Sequence, residues 1–141
     1  MAQARSSRPL SPHLQVWRWG PAMLVSILHR VTGNGLAFVG LGLLLWWTGA
    51  LASGPEAYND FLNWVWIGEG GSFPFVTAIL GKVVLVGLTW AFFQHMATGL
   101  RHFVLDVGAG YELEANARWS VITLVFAGLA TALFWAFVLL R

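Results

Sequence analysis

The chain has no cysteine, which excludes a disulfide, thiolate ligands for an iron–sulfur cluster and a covalently attached c-type heme. Charge is nearly as scarce, at 10% of residues against 57% hydrophobic, and mean hydropathy is +0.68. Such a chain lacks the polar residues to cover itself in water and belongs in a bilayer. The net charge of +2 is slight, and nucleic acid is not an expected partner. No strand precedes the glycines Gly33, Gly35, Gly40 and Gly42, so they form no nucleotide loop and instead suit close helix packing. Residues 1–11 carry Arg and Ser but no acid; they are too short and too polar for a signal peptide, short for a transit peptide, and read as an inside tail.

What is abundant is apolar and aromatic, with nine Trp and ten Phe in 141 residues, a length that fits one domain over residues 1–141. Crossing a hydrocarbon layer takes roughly 20 apolar residues in a helix, and three runs qualify. The third, over 119–140, has no charge between Arg118 and Arg141. The first covers about 21–51, with Pro21 suited to a first helical position and Ser53-Gly54-Pro55 as a stop. The second covers about 74–107, ends at Gly108 and Gly110, and contains Lys82, His95, Arg101, His102 and Asp106. The predicted fold class is therefore an all-α membrane protein with three transmembrane helices.

Arg5, Arg8, Arg18 and Arg30 lie in or beside the N-terminal segment, and Arg101 and Arg118 flank the second connection. The first connection, 52–72, has Glu56, Asp60 and Glu69 and neither Lys nor Arg. The positive-inside rule then puts the N-terminus inside and the C-terminus outside, with Lys82 snorkelling outward. In the outer connection Tyr58, Phe61, Leu62 and Val65 recur at helical spacing, which fits a short interfacial helix or an aromatic anchoring loop.

A titratable side chain inside a span costs about 2.5–3.5 kcal/mol and asks for a partner. Ser26, His29 and Arg30 stand at i, i+3 and i+4 on the first helix, and His95, Gly99, His102 and Asp106 share one face of the second. The topology puts both groups at the inner end, at similar depth. Imidazole is the usual ligand of a b-type heme, and Gly99 would let a flat macrocycle or a helix approach His95 closely. His102 cannot be the second axial ligand, since it lies roughly 10 Å along the same helix; that ligand comes from His29 or a partner chain. His29 and Arg30 suit the heme propionates. The plainer alternatives are a packing histidine at 95, an Arg30 that snorkels, and a solvated helix cap at His102 and Asp106.

Two motifs carry a family resemblance. Arg8-Pro9-Leu10-Ser11-Pro12-His13-Leu14-Gln15-Val16-Trp17-Arg18, followed by Ser26-Ile27-Leu28-His29-Arg30-Val31-Thr32-Gly33, resembles the start of the succinate dehydrogenase cytochrome b subunit family. His95-Met96-Ala97-Thr98-Gly99-Leu100-Arg101-His102, followed by Asp106, is similar to that family's H-x-x-x-G-x-R-H…D motif; Trp17 departs from the family's common Tyr.

The resemblance implies that His95 is an axial ligand of heme b, the other axial histidine coming from a second membrane-anchor subunit with which this chain packs into a helical bundle. It implies that Ser26 and Arg30 line a ubiquinone pocket and that His29 and Arg30 contact the heme propionates, with Gly99, His102 and Asp106 around them. Succinate would be oxidised on a flavoprotein subunit, with electrons passing through an iron–sulfur subunit, so this chain needs no catalytic residue of its own. The expected setting is a multi-pass protein of the bacterial inner membrane, among lipid. Competing readings are the reverse reaction, fumarate reduction; a heme-free structural anchor; and a small transporter or proton channel with a relay through His29, Arg30, His95 and Asp106.

Overall fold

The structure, a computed structural model, describes residues 18–68 and 73–141. The N-terminal motif over residues 8–17, the tail with Arg5 and Arg8, and Glu69 lie outside the described residues. All regular structure among the described residues is helical.

Helix α1 covers Pro21–Gly35 and continues through a π-helical turn, Leu36–Gly40, into α2, Leu41–Ser53. Together they form one apolar rod, Pro21–Ser53. Pro21 occupies the first helical position, where its missing N–H costs nothing. Gly54 ends the rod at φ 110°, a conformation L side chains avoid, and Pro55 starts α3, Pro55–Leu62, which runs on into a second π-helical turn, Asn63–Ile67. Helix α4 covers Pro74–Asp106 and α5 covers Leu113–Leu140. The rod, α4 and α5 are the three helices long and apolar enough to span a membrane. A 33-residue helix is about 50 Å long, so across a ~30 Å hydrocarbon layer its ends protrude or the helix tilts.

The third helix starts at Leu113 instead of Trp119. Hydropathy marks where lipid begins, whereas the helix begins at the turn before it, with Glu112 extended and Glu114 favourably placed in the positive first turn.

The molecule is arranged polar inside and apolar outside, the reverse of a protein in water. Leu, Ile, Val, Phe and Trp side chains of all three long helices face outward. The junction of α1, α4 and α5 buries Thr32, Gln94, Thr98, Ser120, Thr123 and Thr131 with Ala91 and Ala127. Small side chains let helix backbones approach without a hydrophobic driving force. Their hydroxyls are satisfied locally: Ser120 donates to the Asn116 carbonyl, Thr123 to that of Ser120 and Thr131 to that of Ala127.

The other end of the bundle is apolar. Phe61 and Val65 bury against Ala50, with Leu43, Leu62 and Leu85 around them. The segment after the first rod is therefore a helix packed on α2 and α4. Lys82 is exposed, its Nζ 5.3 Å from the centre of the Trp66 ring, a cation–π contact. Gly81 makes this docking possible, since a Cβ there would collide with the backbone carbonyl of Val65. Gly81→Ala is expected to lower stability by about 1–3 kcal/mol, because backbone has to move. Gly87→Ala, with nothing within 4 Å of the added Cβ, is the control in a thermal-unfolding comparison of the purified complex.

Candidate functional site

Increasing residue number along α1 meets decreasing number along α4: His29 faces His102 and Thr98, Thr32 meets His95, and Gly40 lies beside Leu88. The two helices run antiparallel, and the two polar groups read from the sequence face each other at one end of the bundle.

The rings of His29 and His95 are stacked, with centroids 4.0 Å apart and planes within 3°. His102 approaches His29 at 5.1 Å with its ring tilted by 58°. His95 Nδ1 lies 3.1 Å from the His29 carbonyl and 3.3 Å from Thr32 Oγ1. A carbonyl only accepts, so Nδ1 carries the proton and donates. That leaves the Nε2 lone pair of neutral His95 free, the nitrogen a metal would use.

Ser26 is half-buried one turn before Arg30, and Arg30 is exposed on the same helix face. Gly99 has open space where a side chain would be, so the face of α4 beyond His95 is clear for a flat group or another helix. Asp106 is exposed at the last position of α4. Thus the structure clusters His29, His95 and His102, with Ser26 and Arg30 on the adjoining face of α1, and leaves Asp106 at the helix end. Among the glycines expected to aid packing, Gly33 lies against the His95 ring and Gly40 against Leu88, while Gly35 and Gly42 have open space around them.

Thr32 and Thr98 are part of this cluster and were not read from the sequence; both are buried, and Thr98 Oγ1 lies 2.7 Å from His29 Nδ1. A signal was present, because the spacing His-x-x-Thr occurs at 29–32 and again at 95–98. Arg101 donates through Nη2 to Asn116 Oδ1, tying α4 to α5. An apolar groove of about 810 Å³ opens between α2, α3 and α4; it is lined by Leu43, Trp47, Phe61, Leu85 and Phe93, and none of the histidines lines it.

Three long apolar helices with small polar residues buried between them define a multi-pass helical membrane protein. Residues 4–136 match the succinate dehydrogenase/fumarate reductase transmembrane subunit family, and the chain belongs to that family. It is similar to the succinate dehydrogenase cytochrome b556 subunit of Paracoccus denitrificans, 40% identical over 110 residues that cover 78% of this chain and 75% of the relative. The cytochrome b556 subunit of Rickettsia felis is 32% identical over 132 residues, 92% of each chain. The human mitochondrial cytochrome b560 subunit is 28% identical over 130 residues, 89% of this chain and 69% of the relative. The three spans and the bacterial relatives support a multi-pass protein of a bacterial inner membrane.

Proposed function

We propose that this chain is the cytochrome b anchor of a succinate:quinone oxidoreductase, holding one side of a heme b and part of a ubiquinone-reduction site. The observation that carries this reading is His95, on a half-buried face of α4, with Nδ1 committed to the His29 carbonyl and Nε2 left over as a ligand atom. The residues fit the group: an imidazole with the required tautomer, an open face at Gly99, and His29 and Arg30 close by to receive propionates. The other membrane-anchor subunit would supply the remaining protein ligand. When bound, the heme would supply a one-electron carrier.

The chain's own contribution is binding and polarisation. Ser26 and Arg30, one turn apart, donate hydrogen bonds to a quinone carbonyl, where negative charge develops as electrons arrive from the iron–sulfur subunit. Two electrons and two protons convert quinone to quinol. The protons enter from the inner side, at the end of the bundle where His102 and Asp106 reach the surface. Succinate itself is oxidised on the flavoprotein subunit.

The test is to assemble the complex with and without this chain. Without it, the flavoprotein and iron–sulfur subunits are expected to oxidise succinate with a soluble dye in the soluble fraction, while ubiquinone reduction falls to background. Ubiquinone reduction that persists without this chain would overturn the proposal.

A further inference from the structure

The sequence His29-Arg30-Val31-Thr32 on α1 and His95-Met96-Ala97-Thr98 on α4 give the two helices the same four-residue spacing. Because the helices are antiparallel, each histidine meets the other helix's threonine: His29 Nδ1 is 2.7 Å from Thr98 Oγ1, and His95 Nδ1 is 3.3 Å from Thr32 Oγ1. Each threonine hydroxyl is also anchored on its own helix, Thr32 donating to the Leu28 carbonyl at 2.7 Å and Thr98 to the Gln94 carbonyl at 2.7 Å.

A hydroxyl has one proton. With that proton given to the carbonyl one turn back, Oγ1 faces the imidazole as an acceptor, and the imidazole must present an N–H. Both threonines are nearly inaccessible, 3% and 0% exposed, so water does not offer an alternative partner. The pairing therefore puts a proton on Nδ1 of both histidines, at His95 together with the His29 carbonyl 3.1 Å away, and in the neutral His95 ring it leaves the lone pair on Nε2.

The plane of the His95 ring is fixed as well. The His29 ring lies flat on one face of it at 4.0 Å, and Gly33 lies so close to the opposite helix that an added Cβ would stand 2.8 Å from His95 Cε1. A ring held by a hydrogen bond at Nδ1, a stacked ring on its face and backbone against Cε1 has little freedom to turn about its Cβ–Cγ bond.

We infer that Thr32 and Gly33 are positioning residues for the His95 imidazole, and that Thr98 does the same for His29, so that a reciprocal His-x-x-Thr clasp sets both the ligand nitrogen and the ring plane presented to heme. This rests on the reading of His95 as an axial ligand. Loss of a group that orients a metal-bound histidine weakens metal binding by roughly 10- to 100-fold.

The experiment uses the whole complex carrying Thr32→Val, Thr32→Ser, Gly33→Ala or Gly35→Ala. Two quantities are read: the ferric heme g values by electron paramagnetic resonance, which report the angle between axial imidazole planes, and the rate of heme transfer to an apoprotein acceptor. Thr32→Val and Gly33→Ala are expected to shift the g values and speed heme loss by about 10- to 100-fold. Thr32→Ser restores the hydroxyl and the wild-type signal. Gly35→Ala, with open space around the added Cβ, changes neither. Flavin content normalises for assembly, and a Thr32→Val complex that fails to assemble while Thr32→Ser matches wild type still assigns the effect to the hydroxyl. Wild-type g values and heme retention in Thr32→Val overturn the clasp. His95→Leu is measured beside them: if it keeps the wild-type g values, the ligand assignment itself falls, whatever Thr32 does.

Discussion

His95→Leu is expected to abolish the wild-type b-type reduced-minus-oxidised spectrum of the assembled complex, the largest change any single substitution in this chain should cause. Leucine keeps apolar bulk on α4 but has no lone pair, so one axial position of the iron is lost. The helix pair itself should survive, because the two threonines between the helices keep other partners. Thr32 keeps its bond to the Leu28 carbonyl, and Thr98 keeps its bonds to His29 and the Gln94 carbonyl. Loss of the spectrum with normal flavin content therefore separates ligand loss from failed assembly. Succinate:quinone reductase activity that survives in this variant would show that heme is not obligatory for turnover.

The second large effect is expected at the quinone. Removing one hydrogen-bond donor aimed at a developing oxyanion costs about 10²–10³ in turnover. Ser26→Ala and Arg30→Leu should each lower ubiquinone reduction on that scale, while succinate oxidation measured with a soluble dye is unchanged. Arg30→Lys keeps the charge but not the planar fork, and should recover only part of the loss. An Arg30 that only snorkels to the membrane surface predicts undiminished turnover in Arg30→Leu, so the ratio of the two activities decides between these roles. A proton relay through His29, Arg30, His95 and Asp106 would instead work without quinone, and the exposed position of Asp106 at the end of α4 gives no support to a chain of contacts.

Much of the fold was legible because the bilayer imposes it. Long uncharged runs, Pro21 at a helix start and Gly54-Pro55 at a helix stop each have one physical reading, and the rods at Pro21–Ser53 and Pro74–Asp106 follow from them. The run over 119–140 marks only the apolar part of α5, because Leu113 to Arg118 is helical without being apolar and hydropathy does not register it. The connection between the first and second long helices was ambiguous for a different reason. Its helical spacing fitted a surface helix or a loop, and only the burial of Phe61 and Val65 against Ala50 decides for a packed helix.

The site was legible to the level of faces. Spacing put His29 beside Ser26 and Arg30, and His95 in line with Gly99 and His102, but it could not say how two rings from different helices would meet. The stack at 4.0 Å and the crossed threonine contacts depend on the helix separation, and at Gly33 a Cβ would stand 2.8 Å from the His95 ring. Threonine in an apolar helix reads from sequence as packing, because its hydroxyl usually returns to its own backbone. Thr32 and Thr98 do this and also receive an imidazole N–H, a second role that becomes visible only when both helices are in place.

The most direct measurement is an experimental density map of the purified, assembled complex at a resolution that separates the heme iron from its ligands. Iron about 2 Å from His95 Nε2, the usual metal–imidazole distance, is the expected result, with Nδ1 still on the His29 carbonyl and a histidine of the second anchor subunit on the opposite side. A map in which His95 packs against His29 with no iron at Nε2 would contradict the assignment of this chain as a heme-ligating subunit.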